Sequence, residues 1–319
     1  MLLAASVVFS FLAPNAKLVQ FAGDLTSWDH PAKLTQKAGI WSYKTNLPAD
    51  ARVEYKFIVD GSWTLDLAAP RTDNGVGGEN NVWQGPQYKI DIPDGQPQHP
   101  MTRLSATVEG YKVALFVPLK VSPDTPLLAY ADGDTYESRG KVQNVVENLA
   151  EQGKIPASIV LLVTPKDREQ DYWHKSPAAE DVFIHEILPW TYQQTGQSPD
   201  PKRVYVGGSS LGGVFALRLA EDYPDIIGGG LHSQSGAFWV EKEDISRAVL
   251  DRLPKGFKAW LDYGSYEREL TEANKEAMKN LRSEKVECKS LVTPEGHNWT
   301  AWRHRMVAGL LYLLGSAKA

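Results

Sequence analysis

The sequence predicts a chain in two parts. An all-β front third precedes a doubly wound α/β part built on a mostly parallel sheet. Three observations carry this reading. Short strand-like runs separated by turn residues occupy the first ninety or so positions, with no helix-period stretch among them. The segment 93–100, PDGQPQHP, then interrupts the pattern as a proline-rich linker. Beyond it, apolar strands and helical stretches alternate to the C-terminus, as a helix-covered parallel sheet requires. The expected boundaries are therefore 1–92 for a β-sandwich, 93–100 for the linker and 101–319 for the α/β domain.

The opening stretch, MLLAASVVFSFLAP, is apolar but carries no Lys or Arg near its start. Pro14 is followed by Asn15 rather than by a small-residue cleavage site. It reads as a first strand, VVFSFLAP, turning at Pro14–Asn15 into a second, KLVQFAG; a leader removed from upstream stays open. Further strands are expected at 39–45, 51–59 and 61–65, with turns at WDHP, LPAD and VDGS. In the α/β part the expected strands are 105–108, 112–116, 126–131, 158–165, 204–207, 230–233, 258–263 and 286–292. The near-unbroken apolar run SIVLLVTP suits a strand covered on both faces. Helices are expected at 145–152, 183–195, 211–221, 271–281 and 302–314.

Composition narrows the function classes. The 319 residues are 42% hydrophobic, enough for one large core and a smaller one, and the net charge of −5 disfavours a nucleic-acid partner. One cysteine, Cys288, excludes an internal disulfide and fits a reducing, cytoplasmic location; a secreted or periplasmic one stays open with the leader. No apolar run approaches the ~18 residues of a membrane span. No H-x-x-x-H, cysteine pair or phosphate-cradling glycine loop points to a metal or cofactor, so none is expected.

One motif carries chemistry. In RVYVGGSSLGG, residues 203–213, a strand runs into Gly208-Ser209-Ser210-Leu211-Gly212 and a helix follows at once. A nucleophilic serine on so sharp a turn needs neighbours without bulk two residues away on either side. Gly208 and Gly212 satisfy this for Ser210, whereas Leu211 would crowd Ser209. A serine needs a base, and this elbow expects acid and histidine later in the chain, in that order. His297, in TPEGHNWTAW after the last strand, fits; His232 falls in a strand and His304 in a helix. For the acid, Glu267 lies in the loop after strand 258–263, and Asp262 is the rival inside that strand. The backbone N–H groups of Leu211 and, from the loop ADGD, Asp134 are the expected oxyanion donors. Loops beyond the sheet strands should form an aromatic substrate rim with Trp173, Phe238, Trp239 and Trp299. Lys166, Arg168 and Lys175 add positive charge there.

Two resemblances follow from these stretches. Residues 9–83, through APNAKLVQFAGDLTSWD, YKFIVDGSWTLD and GGENNVW, resemble the glycogen-binding type of immunoglobulin-like module. That resemblance implies sugar contact through Trp28, Lys56, Trp63 and Asn80; the alternative is that Trp28 and Trp63 bury themselves in protein. Residues from about 102 to 319 resemble the α/β-hydrolases of esterase D type, within them the enterochelin esterases. The matching pieces are ADGD, HEILPW, VGGSSLGG, SQSGAFW, YGSYE with EAN behind it, and EGHNWTAWR. The resemblance implies nucleophile Ser210, base His297 and acid Glu267, acting on aromatic, catecholate siderophore esters. The front module leaves a feruloyl or acetyl xylan esterase open as an alternative. A glucan-binding protein with an inert hydrolase fold is the reading from another class.

Overall fold

The computed structural model describes residues 4–26, 28–75, 78–173, 177–239 and 253–315. Lys175 lies outside them. Internal contacts divide the chain into two compact units. The first comprises Met1–Asp91 together with two later returns, Tyr263–Thr271 and Val292–Ala301. The second comprises Ile92–Asp262, Glu272–Leu291 and Trp302–Ala319.

The first unit is a β-sandwich. The apolar opening forms β1 (Ala4–Leu12), and β2 (Val19–Gly23), β3 (Ala32–Lys33), β4 (Thr35–Lys37), β5 (Ile40–Pro48), β6 (Arg52–Val59), β7 (Ser62–Thr64), β8 (Arg71–Gly75) and β9 (Gly78–Gln84) follow. One sheet runs β1-β5-β4 and the other β3-β2-β6-β9-β8, with β7 paired to β6. Strand periodicity sorts β6, RVEYKFIV, into two faces. Val53, Tyr55 and Phe57 enter the core with Phe9, Phe21, Trp41 and Leu47. Arg52, Glu54 and Lys56 take the opposite face. Phe21 is fully buried, with stacked contacts to Tyr43 and Tyr55 and tilted or edge-on contacts to Phe9 and Phe57.

The second unit is built on an eight-stranded sheet in the order β10-β11-β13-β12-β14-β15-β16-β17. These strands are β10 (Thr102–Val108), β11 (Tyr111–Val117), β12 (Leu127–Ala131), β13 (Ile159–Thr164), β14 (Val204–Ser209), β15 (Gly230–Gln234), β16 (Lys258–Gly264) and β17 (Glu287–Thr293). Antiparallel pairing joins β10, β11 and β13, and parallel pairing links β13, β12, β14, β15 and β16. The principal helices are α1 (Val142–Glu151), α2 (Leu188–Thr195), α3 (Leu211–Asp222), α4 (Arg268–Ser283) and α5 (Trp299–Leu314). Among the described residues, no helix is long and apolar enough to cross a membrane.

Three differences from expectation have physical reasons. The helix expected over 183–195 is instead a wider-wound turn, Phe183–Ile187, leading into α2. Pro189 has no N–H to give the carbonyl four residues back, which loosens that turn. The last helix begins at Trp299 rather than 302, because Asn298 Oδ1 accepts the Ala301 N–H and caps it. The linker 93–100 has no helix or strand but is fastened to α1. Asn148 donates to the Pro93 and Gly95 carbonyls, and the Glu151 carboxylate accepts the Gln98 and His99 amides.

Phe21→Ala should destabilise the sandwich by roughly 3–5 kcal/mol, since a fully buried ring with four aromatic neighbours leaves a cavity that cannot collapse. Urea denaturation measures it; a loss below about 1 kcal/mol would mean this core is not what holds the sandwich.

Candidate active site

Ser210 sits between β14 and α3 at φ 57°, ψ −121°, a strained conformation for a residue with a side chain. Backbone bonds hold it there. Its N–H donates to Gln234 O at 2.9 Å, and its carbonyl accepts the N–H groups of Gly213 and Ala237, each at 3.1 Å. A Cβ on Gly208 would meet Gly212 backbone at 2.3 Å, so the turn closes only without side chains there. Ser209 is buried as the last residue of its strand, whereas Ser210 is partly exposed. Leu211 opens α3, so its N–H has no acceptor within the helix and is placed to meet developing negative charge.

Two ion pairs brace the elbow, and the second is fully buried. Arg168 grips Asp132 through Nε and Nη2 at 2.8 and 2.9 Å and reaches the Ser209 carbonyl at 3.4 Å. Burial pushes the Asp132 carboxyl up while that guanidinium pulls it down. Fully buried Asp262 accepts from Arg305 Nε at 2.7 Å and Trp260 Nε1 at 3.0 Å. Arg305 and Trp302 also bond Ser235 Oγ, just past β15. The imidazole beside Asp262 is that of His232, buried and bonded to the Tyr130 hydroxyl at 2.8 Å.

The other carboxylate faces a different histidine. Glu267 Oε2 lies 3.4 Å from His297 Nδ1, and its Oε1 accepts the Gly264 N–H at 3.1 Å. The Glu267 side chain is fully buried, and the His297 imidazole is partly exposed. Both residues belong to the first unit, in the two returns of chain that fold with the sandwich. Arg52 N–H bonds the Pro294 carbonyl at 3.0 Å, and Arg52 Nη1 reaches Asn298 Oδ1 at 3.2 Å and Glu54 Oε1 at 2.8 Å. Asn80 Nδ2 donates to Glu54 Oε2 at 2.8 Å. Asp24 accepts the Glu54 N–H and the Trp28 indole N–H, and it fills the space beside Gly296, where a Cβ would lie 2.1 Å from its Cγ. The turn carrying His297 is thus seated on the outer face of β6. Trp28, Lys56, Trp63, Asn80 and His297 line a cavity of about 490 Å³ together with Asp24 and Glu54.

Sequence reasoning did not single out Asp24, Arg52 or Glu54. The one signal for Arg52 and Glu54 is charge in strand positions that alternation assigns to solvent, and Asp24 lies in the turn after β2. Other expectations are corrected. The Asp134 N–H donates to Thr164 Oγ1 at 2.9 Å, so it is engaged and is not a free oxyanion donor. Phe238 and Trp299 are 2% and 5% exposed, packed in the interior rather than on a rim. Trp173 and Trp239 are the exposed pair, meeting edge to face at 5.4 Å. Arg168 is neutralised by Asp132, and Lys166 lies over the Tyr111 ring at 4.5 Å. Burial of both Trp28 and Trp63 in protein does not hold either, since Trp63 is 56% exposed.

A strained serine between strand and helix on a mostly parallel sheet defines the α/β-hydrolase class, here with a β-sandwich in front. The chain belongs to the esterase family described as "Putative esterase", whose profile matches residues 105–313. Residues 5–89 match the "Glycogen recognition site of AMP-activated protein kinase". Among curated proteins, the chain is 25% identical over 201 residues to the iron(III) enterobactin esterase of Escherichia coli K12, covering 60% of this chain and 50% of that protein. It is 22% identical over 223 residues to the iron(III) salmochelin esterase of E. coli O6:H1, covering 64% and 54%. The chain spans about half the length of the curated relatives it matches. Among solved structures, the Shigella flexneri enterobactin esterase superposes with a TM-score of 0.76 at 21% identity, covering 97% of this chain and 92% of that one. A ferulic acid esterase of Anaeromyces mucronatus superposes with a TM-score of 0.54 at 14% identity, covering 70% and 98%.

Burial, reinforced by the Glu54 charge, raises the Asp24 carboxyl to about 8. The folded chain therefore keeps a proton between about pH 4 and 8 that the unfolded chain releases. Stability should fall as pH rises through that window, by up to ~1.4 kcal/mol per pH unit from this group. Asp24→Asn should flatten the decline when urea denaturation is compared from pH 5 to pH 9. An unchanged slope would show that Asp24 is ionised throughout.

Proposed function

We propose that this chain hydrolyses carboxylic esters through a covalent acyl-enzyme on Ser210. The observation that carries the reading is the strained Ser210 elbow, with the Glu267–His297 couple supplying the acid and base that such a serine needs. His297 Nε2 takes the proton from Ser210 Oγ as that oxygen attacks the ester carbonyl. Glu267 holds the Nδ1–H tautomer and stabilises the imidazolium. The Leu211 N–H donates to the tetrahedral oxyanion. His297 then returns the proton to the departing alcohol, leaving an acyl group on Ser210. Water, deprotonated by the same imidazole, attacks that acyl group; His297 gives the proton back to Ser210 and the acid is released.

The favoured substrates are aromatic esters of the catecholate siderophore kind. The curated relatives are esterases of iron(III) enterobactin and salmochelin, and the likeness to the enterobactin esterase structure spans both units. A feruloyl ester is the second reading. It is favoured by the pairing of Arg168 with Asp132, which neutralises that cation.

Ser210→Ala should abolish turnover of an aryl ester, by roughly 10⁴-fold or more. Glu267→Gln should cost about 10²- to 10⁴-fold in kcat. Asp262→Asn should act chiefly on stability, because its carboxylate serves Arg305. Steady-state kinetics and thermal melting on the three variants test this; a larger kcat loss in Asp262→Asn than in Glu267→Gln would move the acid onto β16.

A further inference from the structure

The residues that a glycogen-binding module uses for sugar do not stand on an open face in this chain. They enclose a cavity of about 490 Å³ whose lining includes His297. That volume suits one compact ligand better than a run of successive sugars, which needs an open platform. Whatever occupies it lies beside the imidazole to which the ester mechanism assigns the proton.

The chemistry of the wall is specific. The Trp28 and Trp63 rings are nearly parallel, 28° apart, with centroids 6.5 Å from each other. That spacing is too small for a ring to slip between them, so they form one continuous indole surface. Trp28 is fixed by its N–H to Asp24, and Trp63 remains 56% exposed, offering its face to a flat partner. Asn80 is 2% exposed. Its Nδ2 is taken by Glu54, while its Oδ1 has no hydrogen-bond partner among the described residues. A buried amide oxygen left in this way is costly unless a ligand hydroxyl donates to it. Lys56 adds an ammonium, which favours a phenolate or catecholate oxygen over a neutral alcohol.

We infer that Trp28, Trp63, Lys56 and Asn80 form a subsite for the hydroxyl-bearing aromatic part of the ester substrate, beside His297, rather than a glucan platform. This rests on the ester-hydrolase reading above and names what that site recognises. An aromatic ring stacks on Trp63, its hydroxyl donates to Asn80 Oδ1, and Lys56 balances the charge of an ionised oxygen. The ester bond is thereby delivered to the base.

The experiment compares the wild type with Trp63→Ala and Lys56→Met. It uses a dihydroxybenzoyl ester and the aliphatic ester ethyl butyrate, with maltoheptaose binding measured by calorimetry. Both changed residues are solvent-accessible, so melting curves should confirm folded variants. The ratio of kcat/KM for the aromatic ester to that for the aliphatic one should fall about tenfold in Trp63→Ala. In Lys56→Met, KM for the dihydroxybenzoyl ester should rise and lose its dependence on salt. An unchanged ratio in both variants would overturn the subsite, and maltoheptaose binding that Trp63→Ala abolishes, at an unchanged ratio, would return the face to glucan. A wild type that hydrolyses neither ester would remove the esterase reading itself and this subsite with it.

Discussion

The contact on which much else depends is between Asp24 and the backbone of Gly296. The carboxylate occupies the volume a side chain at 296 would need, and the next residue is His297. Asp24 is itself fixed by the Glu54 N–H, and Glu54 by Arg52 and Asn80. Arg52 then returns to the same turn through the Pro294 carbonyl and the Asn298 side chain. The loop is gripped at three points by one strand and its neighbours. A buried cluster of this kind tolerates no missing member, because each loss strands a charge or a polar atom out of water. It positions more than it stabilises: burial, reinforced by the neighbouring Glu54 charge, raises the Asp24 carboxyl to about 8.

A related device recurs around Ser210. Asp132, just past β12, pairs with the exposed Arg168, and Asp262, in β16, pairs with the fully buried Arg305. Their partners reach backbone and hydroxyl groups around Ser209 and Ser235. A serine at φ 57° persists only where its surroundings over-determine it. Hydrogen bonds to the Ser210 N–H and carbonyl, the close approach of Gly208 to Gly212, and these two pairs supply that constraint.

The alternation of strands and helices in the second unit was readable because buried parallel strands are apolar throughout, as in IVLLVT, and because glycines announce a turn that excludes side chains. Which of Asp262 and Glu267 faces His297 was not readable from position alone, since both sit near the end of β16. The difference lies in Arg305 and Trp260, one of them more than forty residues away, which engage Asp262. The polar face of β6 was opaque for a related reason. Arg52, Glu54 and Lys56 alternate with core residues and so look solvated, yet Arg52 and Glu54 are buried by residues from other strands and from the His297 turn. Phe238 and Trp299 misled in the opposite sense: position after a strand suggests a rim, but large apolar side chains bury wherever packing admits them.

The central claim is that Ser210, His297 and Glu267 act as one catalytic group. The most direct measurement is a crystal structure of the chain after reaction with a fluorophosphonate. The account predicts a phosphonate on Ser210 Oγ, one phosphonyl oxygen within about 3 Å of the Leu211 N–H, and His297 bridging the adduct and Glu267. An adduct on any other residue, or a His297 ring turned away from a phosphonylated Ser210, would contradict it.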